Sequence, residues 1–175
     1  MQKTDDAGDL VVARADGAWT LSFAGRTWPC AIGRGGARRD KQEGDGATPI
    51  GCWPLRRVLY RPDRLAPPST RLPAAPLTPE DGWCDDPADP RYNRPVRRPY
   101  PASHETLWRD DGIYDLIVVL GYNDRPVRAG QGSAVFLHIA RLDFAPTEGC
   151  IALQQPDLLT LLAEVGKAAR LRVRD

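Results

Sequence analysis

Apolar and polar positions alternate along much of this chain, and alternation with a period of two is the signature of half-buried strands. Residues 10–14 and 19–23 read as two such strands, with Asp16-Gly17 between them as a hairpin turn pair. In the second, Trp19, Leu21 and Phe23 alternate with Thr20, Ser22 and Ala24, so one face is expected to be buried. Residues 26–32 and 52–60 are predicted to follow as strands, the latter with Pro54 early in it. Residues 114–122, YDLIVVLGY, are almost continuously apolar, which predicts a central strand. Residues 133–139 return as a further strand, and 171–174 alternate as the last one. One helix is predicted over 155–165. Pro156 suits its first position, Asp157 its N-terminus and Gly166 its end, and Leu158, Leu159, Leu161, Leu162 and Val165 form its buried stripe. The pattern therefore predicts a mainly β fold, but periodicity alone does not separate a sandwich from a barrel.

Two stretches break the pattern. Residues 33–51 hold six glycines and read as a loop over the sheet, without the spacing of a phosphate-binding or dinucleotide-binding turn. Residues 61–101 hold eleven of the 17 prolines. Proline removes ladder donors, so this segment is no central strand. It exceeds an ordinary connection, and Trp83, Tyr92 and Tyr100 argue for order. It is expected to be an insertion packed over one end of the sheet, as a substrate wall. At 175 residues a single domain is expected over 1–175.

Composition narrows the function. The 24 basic and 23 acidic residues leave a net charge of +1, which gives no electrostatic reason to expect nucleic acid or a membrane as partner. Arg91, Arg94, Arg97 and Arg98 cluster, but Glu80, Asp81, Asp85, Asp86 and Asp89 precede them and offset them. The start, MQKTDDAGDL, is polar, with no apolar leader core, and no run approaches a membrane span. The expectation is a cytoplasmic protein, periplasmic only if the sequence is truncated. Cys30, Cys52, Cys84 and Cys150 show no C-x-x-C pairing, so a zinc site is weakly supported and the thiols are expected to stay reduced.

The chemistry concentrates in SAVFLHIARLDFAPTEGCIAL, residues 133–153. One of only two histidines, His138, lies twelve positions before Cys150, which Gly149 precedes. A thiol attacks as thiolate, and a nearby imidazole can take its proton. Glycine before the cysteine permits a tight turn and the close approach of a carbonyl. Each residue alone is as well explained by packing. His104, the other histidine, is a candidate acid, base or substrate donor, and Arg125 and Arg128 in the polar turn 123–132 could face a ligand.

HIA followed by PTEGCIAL resembles the signature of the YkuD-type L,D-transpeptidase catalytic domain, through His138, Thr147, Gly149, Cys150 and Ile151. A second segment, KQEGDGATPIG from Lys41 to Gly51, resembles that family's K-x-x-G-D-x-x-T-P-x-G. The sequence departs from the family in Ile139 for the usual glycine, Glu148 for a frequent second histidine, Ala152 for arginine or asparagine, and a short loop before Cys150. The resemblance implies a β-sandwich of mixed sheets with a short C-terminal helix. It implies Cys150 as nucleophile, His138 as base, the Ile139 carbonyl as orienter of the imidazole, and no metal or cofactor. The N–H groups of Gly149 and Cys150 are the expected oxyanion donors, with Thr147 bracing the loop. Thr147, Glu148, His104, Arg125, Arg128 and Tyr122 are the candidate substrate-binding residues. The implied partners are peptidoglycan stem peptides or muropeptides, with a carbapenem adduct at Cys150. The expected reaction is L,D-carboxypeptidase trimming of tetrapeptides. The alternatives are 3–3 cross-linking by transpeptidation and a non-catalytic peptide-binding domain. A metal site from His104, His138 and a cysteine ranks last.

Overall fold

A computed structural model describes residues 8–175. Its strands are β1 (Leu10–Ala15), β2 (Ala18–Phe23), β3 (Arg26–Pro29), β4 (Ala37–Arg38), β5 (Thr48–Pro49), β6 (Gly51–Tyr60), β7 (Ala74–Pro76), β8 (Asp81–Cys84), β9 (Pro95–Arg97), β10 (His104–Thr106), β11 (Leu116–Leu120), β12 (Phe136–Ile139), β13 (Ile151–Leu153) and β14 (Arg170–Val173), with one helix, α1 (Gln155–Glu164). The fold is mainly β with mixed pairing. A nine-stranded sheet runs β13-β12-β11-β6-β14-β1-β2-β3, with β7 beside β6. The β1–β14, β12–β13 and β6–β7 pairs are parallel and the rest antiparallel.

The long strand β6 couples two halves. Its first residues, Gly51 to Pro54, pair with β14, and its later ones, from Leu55, pair with β11. Past β3 the chain reaches the far edge: Ala31 and Ala152 exchange both backbone hydrogen bonds at 2.9 Å. The sheet thus nearly closes on itself. That pairing is between residues far apart in sequence, which is why strand periodicity left sandwich and barrel open.

Alternation along β11 and β12 sorts the core. Leu116, Val118, Leu120, Leu137 and Ile139 face inward, where they meet Leu10, Val12, Leu21 and Leu171 and are plugged by Leu158, Leu161 and Leu162 of α1. Ile117, Val119 and Phe136 face outward, yet they too are buried, beneath Leu77, Trp83, Leu107 and Tyr114. A strand covered on both faces reads as continuous apolar sequence, as β11 does. The outer cover comes from the proline-rich insertion and the residues after it. The insertion is more regular than expected: β8, β9 and β10 form an antiparallel sheet of order β10-β8-β9. Its prolines sit where they cost no ladder bond, with Pro95 on the edge strand β9. The helix ends one residue earlier than expected, because Val165, extended at φ −64° and ψ 137°, caps it, and Gly166 is not used as a left-handed cap. All four cysteines are free thiols.

Candidate active site

The parallel pair β12–β13 builds the site. Its register sets His138 beside Ala152 and places Cys150 immediately before β13. Phe136 and His138 share the outward face by period two, so His138 and Cys150 open onto the same side of the sheet. There they line one cleft of about 450 Å³ with Lys41, Glu105, Tyr114 and Gly149 among its walls. The thiol sits deep: Cys150 is 8% exposed and His138 4%.

Each group is held. His138 Nδ1–H donates to the Ile139 carbonyl at 2.9 Å, which leaves Nε2 with the free lone pair. The ring also lies edge-to-face with Tyr114 at 5.2 Å. Cys150 Sγ donates to Ala134 O at 3.2 Å and accepts from Phe136 N–H at 3.3 Å. Burial pushes the imidazole down to about 4, against the hydrogen bond to Ile139. Burial pushes the thiol up to about 12, with the Glu105 charge adding to the rise and the Phe136 N–H opposing it. Burial thus favours the neutral form of both groups.

The Lys41–Gly51 segment supports the cysteine turn from below. Thr48, wholly buried, accepts from Gly33 N–H at 2.9 Å and donates to the Gly149 carbonyl at 2.8 Å. Gly149 has φ 137°, and a Cβ there would stand 2.8 Å from Ala47 O, so only glycine fits. Buried Lys41 pairs with Asp45 at 3.0 Å and lies against this turn. Thr147 Oγ1 donates to Cys150 O at 2.6 Å and accepts from Gly149 N–H at 3.1 Å. The Gly149 N–H, expected to face an oxyanion, is therefore turned to Thr147. Cys150 N–H is left as the donor of that turn.

Of the expected substrate contacts, Thr147 and Glu148 line the cleft, Glu148 at its rim in an exposed pair with Arg34 at 2.9 Å. Four do not. His104 lies on β10 with the cleft-lining Glu105 next to it, and adjacent strand residues point oppositely. Its Nδ1–H donates to Ala102 O at 2.8 Å. Tyr122, Arg125 and Arg128 line a separate surface groove with Trp53, where Tyr122 OH bonds Gln131 O. The turn bearing them lies beyond the end of β11 opposite Tyr114. Sequence reasoning missed Glu105, Tyr114 and Arg109, which the insertion and the loop after it bring to the cleft. No local pattern marks them; Lys41, which the K-x-x-G-D segment includes, also lines the cleft, as does Glu43 at a variable position of that segment. Among the described residues no group of three or more His, Cys, Asp or Glu could hold a metal ion.

A curled mixed sheet that offers a recessed thiol and a carbonyl-oriented imidazole to one cleft defines a class of thiol-dependent acyl-transfer proteins. The chain belongs to the YkuD family, the L,D-transpeptidase catalytic domain, whose family model matches residues 14–173. It is a cysteine enzyme of the L,D-transpeptidase type, with peptidoglycan peptides as its kind of substrate. No curated protein and no solved structure matches the chain.

Proposed function

We propose that this protein is an L,D-carboxypeptidase that removes the terminal D-alanine from peptidoglycan tetrapeptides, as in muropeptide recycling, a role that would place it in the cytoplasm. Cys150 Sγ adds to the carbonyl joining the L-centre of the diamino acid to D-alanine. His138 Nε2 takes the thiol proton and delivers it to the leaving amine. Because burial favours the neutral form of both groups, this proton moves as the C–S bond forms rather than beforehand. Water then attacks the thioester, His138 accepts its proton, and the thiol is restored as the tripeptide acid leaves. Cys150 N–H is the donor offered to the oxyanion.

The observation that carries this reading is the depth of the thiol behind a wall made by Asp85, Glu105, Arg109 and Tyr114. The tail of one extended peptide reaches it, and water can follow. A second stem bringing an amine acceptor must share the same mouth. The family's name favours the second reading, transpeptidation to 3–3 cross-links. A disaccharide tetrapeptide incubated with wild type and Cys150→Ala, followed by mass spectrometry, separates them. Loss of one alanine with wild type alone is the expected result. A product two stems in size, less one alanine, supports cross-linking instead. Neither product, with no mass adduct on Cys150 after carbapenem treatment, overturns both and favours a binding domain.

A further inference from the structure

Two acidic side chains on the cleft wall opposite the cysteine turn, Glu105 and Asp85, form no ion pair among the described residues, while the cations that line the same cleft, Lys41, Arg109 and Arg141, are paired with Asp45 and Asp111. Glu105, recessed on β10, accepts from Tyr114 OH at 2.7 Å through Oε2. Among the described residues its Oε1 accepts no hydrogen bond, and Arg109 of the same cleft is paired with Asp111 at 2.6 Å instead. Asp85, just past β8, lines the same cleft, and its Oδ1 is buried without a partner. The two strands are paired, with Glu105 opposite Trp83, which brings these acids to one wall. Burial raises the Glu105 carboxyl, and the Asp85 charge raises it further, against the Tyr114 bond and the Arg109 charge. A half-buried carboxylate with an uncommitted oxygen, and a buried carboxylate oxygen without a partner, are both stabilised when a cation arrives. Among the described residues no third ligand makes this a metal site.

We propose that Glu105, with Asp85 behind it, forms the subsite for the ammonium group on the side chain of the substrate's diamino acid. This rests on the reading of the cleft as a stem-peptide site. The scissile carbonyl belongs to that same residue, so with the carbonyl at Cys150 its side chain is the part free to run along the wall. An alkylammonium supplies a charge and up to three donors, which suits one uncommitted oxygen from each acid. A stem whose amine is acylated or missing leaves both carboxylates without that partner.

The test uses two tetrapeptide muropeptides, one with the side-chain amine free and one with it acetylated. Binding to Cys150→Ala is measured by calorimetry, with Glu105→Gln and Asp85→Asn added singly to that background. Glu105→Gln keeps an oxygen for Tyr114 OH, so the wall is expected to stay folded. The free amine should bind at least about tenfold tighter, and Glu105→Gln should erase that preference. Equal affinity for the two peptides, no binding of either, or a preference that survives both substitutions overturns the subsite. Alanine release by wild type is read separately. Amine-dependent binding without release sinks the carboxypeptidase reading alone, whereas release at equal rates from both peptides sinks the subsite alone.

Discussion

His138 and Asn93 show what single side chains contribute here. His138 is buried and its pKa is lowered to about 4, so the unfolded chain binds its proton more tightly than the native protein does. Its contribution to stability is full above the ordinary pKa and is lost as pH falls from about 6.5 towards 4, at a cost of roughly 3 kcal/mol. Urea denaturation of wild type and His138→Gln across that range should show the difference, with the variant's stability flatter in pH. The acidic limb of activity should likewise sit near 4 rather than near 6.5, since Nε2 must be unprotonated to accept a proton. Asn93 lies in the insertion at φ 54° and is 4% exposed. Its Oδ1 accepts from Trp83 Nε1 at 2.9 Å and from Ala134 N–H at 3.1 Å, and its Nδ2 donates to the Tyr122 and Asn123 carbonyls. Ala134 is the residue whose carbonyl holds the thiol. Asn93→Ala leaves these groups unpaired and should cost about 2–4 kcal/mol in denaturant titration. It should also lower kcat more than it raises KM, because the thiol loses a fixed acceptor.

At the scale of elements, the site is a strand pair seated on a glycine-rich loop. Period two on β12 decides that His138 and not Leu137 faces the cleft, and the parallel register with β13 decides that Cys150 joins it. The Lys41–Gly51 segment contributes by holding that turn rather than by touching the imidazole. Thr48 links Gly33 to Gly149, so Thr48→Val should leave a buried donor and a buried acceptor without partners. A loss of about 2–3 kcal/mol is expected by thermal or chemical denaturation, with slower modification of Cys150 by its substrate. The two motifs were legible in sequence because each needs particular residues at fixed spacing. The faces of the other candidates were not. His104 and Glu105 are neighbours, and only the pairing of β10 with β8 determines which of them meets the cleft. Arg125 and Arg128 are offered to a ligand by a polar turn, and Tyr122 directly precedes that turn after the central strand. They follow it at the end opposite Tyr114, and that end opens onto another groove.

The whole molecule is a sheet with two buried faces, one closed around α1 and one beneath the insertion. Trp83 joins the second face to the sheet: it packs edge-to-face on Phe136 at 5.1 Å and is 6% exposed. Trp83→Ala should destabilise by about 3–5 kcal/mol, and hydrogen exchange should show opening of residues 81–106 before the β6–β11 pair. From residue order alone follow the mainly β class, seven strands of the nine-stranded sheet, the helix and the two motifs, because these depend on local period, propensity and fixed spacing. The Ile139 carbonyl beside the imidazole is also local, one residue from His138. Tertiary structure alone decided the Ala31–Ala152 closure, the commitment of the Gly149 N–H to Thr147, and the arrival of Glu105, Asp85 and Tyr114 opposite the thiol. The Gly149–Thr147 bond spans only two residues and turns on the backbone angles of the cysteine turn. The closure and the arrival of those side chains depend on contacts between segments tens of residues apart, and a local pattern carries no record of which distant backbone a side chain will meet.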